Sequence, residues 1–146
     1  MTPKEYLKQI ETLDIMAQNK RAELAELHAD IADLQSALAG GERVQTSPKA
    51  NPSYVAALER IEKLEREITQ SIEQLTAKRD FIINQINALG SKEYIQILYK
   101  RYVEYKKLEQ IAVEMCYTYQ HIRRMHGYAL TEFKRCYTML HHSMLK

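Results

Sequence analysis

Apolar residues recur in alternating steps of four and three from the start of the chain. The positions are Tyr6, Ile10, Leu13, Ala17, Lys20, Leu24, Leu27, Ile31, Leu34 and Leu38, and nine of the ten are apolar. That spacing is a heptad seam, which predicts a helix laid against a partner helix. Thr2-Pro3-Lys4-Glu5 predicts its start: Thr2 caps, Pro3 takes the first helical position and Glu5 completes a capping box. Gly40-Gly41 predicts its end. A second seam runs through Tyr54, Leu58, Ile61, Leu64, Ile68, Ile72, Leu75, Ile82, Ile86 and Leu89, with Arg79 at the heptad position between Leu75 and Ile82. Asn51-Pro52 precedes it and Gly90 follows it. Each helix is expected to be about 55 Å long.

Residues 40–53 hold two Gly, two Pro and several small polar residues, and are the one predicted linker. Two long helices joined by a short linker fold back antiparallel. With the turn centred near position 46, partner positions sum to about 93, bringing Lys20 level with Glu73 and Asp14 level with Arg79. Ile15, Met16, Phe81 and Ile83 lie off the seams near one end. They have two readings: a surface on which the C-terminal domain packs, or a homodimer contact. The expectation for residues 1–90 is an antiparallel coiled-coil hairpin.

Beyond Gly90 the periods shorten. Ser91 can cap a helix whose apolar face holds Tyr94, Ile95, Leu98, Tyr102 and Val103. The run LEQIAVEMCYTYQHIRRMHG, residues 108–127, then fits a helix-turn-helix. Such a pair needs a small residue where the helices cross, a permissive residue at the turn and apolar inner faces. Ala112 is the crossing residue, Cys116 stands where Gly is commonest, Tyr117 can plug the turn and Thr118 can cap the second helix. Ile111, Met115, Ile122 and Met125 face inward. Tyr119, Gln120, Arg123, Arg124 and Gly127 face outward, flanked by His121 and His126. Residues 91–146 are thus expected to form a helix-turn-helix DNA-binding domain, and the whole chain to be all-α.

The charge distribution sharpens this picture. Residues 1–90 carry 11 Lys and Arg against 14 Asp and Glu, a net of −3, whereas residues 91–146 carry 10 against 5, a net of +5. The basic part also holds eight of the ten Tyr, and a basic surface calls for an anionic partner. Arg, Gln, Tyr and Thr are donors suited to phosphates and base edges. The candidate DNA contacts are Thr118, Tyr119, Gln120, His121, Arg123 and Arg124 on the second helix, with Lys106 and Lys107 before the first. Within them, Gln120 and Arg124 are expected to read bases, and Tyr119 and Arg123 to meet phosphates. The expected partner is double-stranded DNA.

The stretch YIQILYKRYVEYKKLEQIAVEMCYTYQHIRRMHGYAL, residues 94–130, resembles region four of bacterial sigma factors. It is still more similar to small phage and prophage proteins with a sigma-region-four-like helix-turn-helix, including regulators of the ArpU and RinA kinds. The opening residues and the long helical segment also look like uncharacterised members of that group. The resemblance implies a regulator of phage or prophage transcription in a Gram-positive host, working in the bacterial cytoplasm, with RNA polymerase as a further candidate partner. Leu108 stands where the group often has Trp, and Cys116 where it usually has Gly.

Other classes find little footing. No run approaches eighteen uncharged apolar residues, so no membrane association is expected, and the charged opening reads as no secretory signal. Two Cys without a Cys-x-x-Cys pair fit a reducing compartment, Cys116 as a buried turn residue and Cys136 as a small apolar filler. Cys116, His121, His126, Cys136, His141 and His142 lack the short knuckle spacing of zinc modules, so neither metal nor cofactor is expected. No phosphate loop or nucleophile motif appears, and no enzyme is expected. Two alternatives stand beside the regulator: a phage small-terminase type of DNA-binding subunit, and a coiled-coil protein that binds RNA polymerase without DNA.

Overall fold

The computed structural model describes residues 1–40 and 52–144, with side chains at 1–36 and 53–138. The linker reading therefore lies largely outside the described residues, as does the Asn51 cap, and so do the side chains of Leu38, His141 and His142. The protein is all-helical among the described residues. Its elements are α1 (Pro3–Gly40), α2 (Pro52–Asn87), α3 (Lys92–Tyr102), α4 (Leu108–Met115) and α5 (Tyr119–Met144). No described helix is long and apolar enough to cross a membrane.

Local chemistry sets four of the helix ends. The Thr2 amide donates to Glu5 Oε2 at 2.8 Å and the Glu5 amide to Thr2 Oγ1 at 3.2 Å, the reciprocal pair of a capping box. Ser91 Oγ accepts from the Tyr94 amide at the start of α3. Thr118 Oγ1 accepts from the His121 amide at 3.2 Å at the start of α5. α4 closes through Cys116, which is left-handed with φ 59° and ψ 37°. The Cys116 amide reaches the Ala112 and Val113 carbonyls, and the Tyr117 amide reaches back to the Ala112 carbonyl at 3.0 Å, so the last turn of α4 is closed by backbone bonds.

The chain divides into two compact units, one of residues 1–14 and 77–146, the other of residues 15–76. These divisions fall at other places than the sequence boundary at 90. In the first unit Tyr6 Oη donates to Gln85 at 2.6 Å and Asp14 meets Arg79, so the low positions of α1 pair with the high positions of α2 and the two segments run in opposite directions. The main core of this unit joins Leu7 and Ile10 of α1, Ile82 and Ile86 of α2, Leu98 and Tyr102 of α3, and Ala129 and Phe133 of α5. In the second unit His28 Nε2 lies 3.1 Å from Glu65 Oε1. The pairs 14 with 79 and 28 with 65 both sum to the expected 93. Lys20, set level with Glu73 from the sequence, instead binds Glu23 one turn along its own helix at 3.2 Å. A short intrahelical partner requires less ordering of a long side chain than a cross-helix one.

The seam of α1 is buried or half-buried at every position from Tyr6 to Leu34. In α2, Leu64 departs from the pattern and is exposed. Of the off-seam residues, Ile83 packs against the core of the first unit, whereas Ile15, Met16 and Phe81 are exposed.

Candidate nucleic-acid interface

A second, smaller core holds α3, α4 and α5 together: Ile97, Ile111, Ala112, Ile122 and Met125, with Tyr94, Leu108 and Met115 packed at its margin. Of the residues expected to face inward, Ile111, Ile122 and Met125 are buried and Met115 is half-buried. Ala112 is only 4% exposed among large neighbours, consistent with the small residue such a contact needs. Burying Ile122 and Met125, followed by Ala129 and Phe133 in the main core, fixes the rotation of α5 and so decides which of its residues face solvent.

Those residues are Tyr119, Gln120, His121, Arg123, Arg124, Gly127 and Tyr128, all exposed. Arg123 and Arg124 make no hydrogen bond or ion pair among the described residues, and neither do Tyr119, Gln120 and Lys107. Five polar groups are therefore free for a partner. Thr118 is spent differently, with its hydroxyl engaged as the cap of α5. His121 lies beside Tyr117, ring centres 4.8 Å apart, and the Tyr117 hydroxyl donates to Glu93. Tyr117 lies over the start of α5, although its side chain is more exposed than a buried plug would be.

The two lysines before α4 differ. Lys107 is exposed and free. Lys106 Nζ is held 2.7 Å from Glu104 and 2.8 Å from Glu114. Glu114 also binds Lys100 at 3.0 Å. The two carboxylates raise the Lys106 ammonium above its ordinary range, and the two ammoniums lower the Glu114 carboxyl. Lys106 thus offers much less net charge to an outside anion than its sequence position promises.

Two expectations are corrected by the packing. His126, placed among the outward flanking residues, is buried, its Nε2 2.9 Å from the Tyr102 hydroxyl. Burial, with Arg101 and Lys4 adding positive charge nearby, lowers its pKa to about 4, and burial raises Tyr102 to about 12. Cys116, expected to be buried at the turn, is exposed, because the left-handed backbone turns its side chain outward, whereas Cys136 does pack against the main core.

One connection had no sequence signal. The loop between α3 and α4 passes through Tyr105, left-handed at φ 59°, whose hydroxyl donates to Asp14 of α1. Asp14 in turn pairs with Arg79 of α2, the guanidinium Nε lying 2.5 Å from Oδ1. Desolvation, followed by the Asp14 contact, pushes the Tyr105 phenol well above its ordinary range. Arg101 adds a hydrogen bond to the Lys106 carbonyl at 3.1 Å, so the entry into α4 is tied down at two points.

Among the described residues no group of three or more His, Cys, Asp or Glu is placed to hold a metal ion. No family model, no curated protein and no solved structure matches the chain.

Proposed function

We propose that the protein is a sequence-specific DNA-binding regulator of transcription. In this reading α4 and α5 form a helix-turn-helix of the kind seen in sigma-factor region four and phage regulators. The observation that carries it is the outward face of α5, where Arg123, Arg124, Gln120 and Tyr119 stand exposed and unpaired on a helix whose opposite side is locked into a core. Long cationic side chains left without acidic partners, in a region of net charge +5, suit the phosphate backbone and the major groove. The capped start of α5, at Thr118, is the end that would enter the groove.

The same reading makes the α1–α2 pair an antiparallel coiled-coil hairpin that serves as a recruiting or dimerising arm. It sets the protein in the cytoplasm of a bacterium, acting on phage or prophage genes and with RNA polymerase as a second candidate partner. Retention of the full chain on mixed-sequence duplex DNA tests the central claim. Binding at low salt should fall steeply as salt rises, as counterions compete for the phosphates. Absence of any salt-dependent binding would favour the rival in which the basic face meets an acidic protein surface.

A further inference from the structure

Gly127 has no explanation among the described residues. It lies mid-helix in α5, eight residues beyond the start, where the backbone is regular and φ is not positive. A Cβ built there meets nothing within 4 Å, so no neighbouring helix demands its small size. The position is exposed. In a helix interior Gly destabilises relative to Ala because it loses more backbone freedom on folding. Nothing among the described residues offsets that cost.

Its surroundings supply a reason. At about 100° per residue, Gln120, Arg124, Gly127 and Thr131 fall within about 60° of one another, and Arg123 lies about 40° to the other side of Gly127. Gly127 is therefore the one bare patch of helix backbone among the free polar groups of the outward face. Thr131 keeps the patch low, since its hydroxyl bends back to the Gly127 carbonyl at 3.1 Å rather than projecting outward. We propose that Gly127 is a point of close approach between α5 and duplex DNA, behind the end that enters the groove, its missing side chain letting the DNA wall come against the helix backbone while Arg123 and Arg124 reach past on either side. This rests on the reading of α5 as a DNA-contacting helix.

The test compares the full chain with Gly127→Ala, Gly127→Leu and Arg124→Ala, measuring thermal unfolding and affinity for a mixed-sequence duplex at low salt. Both Gly127 variants should melt no lower than the wild type, with Gly127→Ala about 3 °C higher, because the added carbons enter open space. Affinity should fall with side-chain size, about tenfold for Ala and about a hundredfold for Leu. If both bind as tightly as wild type while Arg124→Ala binds more weakly, the close approach is wrong and the DNA reading stands. Equal losses for Ala and Leu would assign Gly127 to helix flexibility and overturn the inference. If the wild type itself shows no salt-dependent binding, the DNA reading fails and the inference falls with it.

Discussion

The Tyr102 hydroxyl of α3 and the His126 imidazole of α5 are hydrogen-bonded at 2.9 Å inside the C-terminal helices, with Arg101 and Lys4 as the nearby positive charges. A neutral imidazole fits this site and a charged one does not. The His126 pKa is lowered from 6.5 to about 4, so the unfolded chain takes up the proton first as pH falls. Stability attributable to this group is therefore full above pH 6.5 and is lost progressively between pH 6.5 and about 4. Denaturant midpoints measured across that window should decline, and His126→Gln should flatten the decline. An unchanged slope in that variant would remove His126 as its cause.

Ala112 is buried in one cluster with Ile97, Ile111, Ile122 and Met125. Ala112→Leu should cost about 1–3 kcal/mol through overpacking, read as a lower melting temperature. Wild-type melting would mean that the three-helix core yields easily at that point.

Cys116 holds a left-handed conformation that an L side chain resists. Cys116→Gly should stabilise by about 1 kcal/mol, less whatever the freer unfolded chain takes back. Cys116→Val should destabilise, because a β-branched side chain is a genuine outlier in that region. Chemical denaturation of both variants gives opposite signs if the turn is as described.

Asp14 joins two helices and a loop by accepting from Tyr105 and pairing with Arg79. Tyr105→Phe removes one hydrogen bond, about 1 kcal/mol. Asp14→Ala also removes the nearer counter-ion of Arg79, leaving it only the longer contact to Asp80 at 3.6 Å, and should cost more. The double variant should cost less than the sum of the two, since both act on the same contact.

Lys106 and Arg123 should behave differently towards DNA. Arg123→Ala is expected to weaken binding to all sequences and to reduce the salt slope by about one. Lys106→Ala should change little, because Glu104 and Glu114 already hold its ammonium. Glu114→Gln frees Lys100, leaves Lys106 held by Glu104 alone and removes one negative charge, and should steepen the salt dependence of binding. Affinities at several salt concentrations decide all three.

Much of the local structure was legible along the chain. The heptad steps identified the buried side of α1, and the capping residues Thr2, Ser91 and Thr118 each make the bond expected of them. Ala112, Ile111, Ile122 and Met125 were recognisable as an inner face from spacing alone. These features depend on neighbours within one or two helical turns. Periodicity records them directly.

The candidate site was legible only in part. Arg123 and Arg124 could be placed outward because the inward residues beside them were clear. The confinement of Lys106 could not be read, since it depends on how the loop between α3 and α4 folds Glu104 and Glu114 onto one ammonium, which no periodic pattern records. His126 misled for the same reason: its place on the wheel borders both faces of α5, and Tyr102, 24 positions earlier, draws it inward.

By itself, then, the sequence determined which segments are helical, where most of them begin, and which faces are apolar, because backbone hydrogen bonding and side-chain period act over short distances. Only the tertiary structure decided that Leu7 would share a core with Phe133, that Tyr105 would reach back to Asp14, and which cations would be left unpaired. Each of those outcomes depends on side chains far apart in the chain. Their meeting is set by how packed helices come together, which no local pattern encodes.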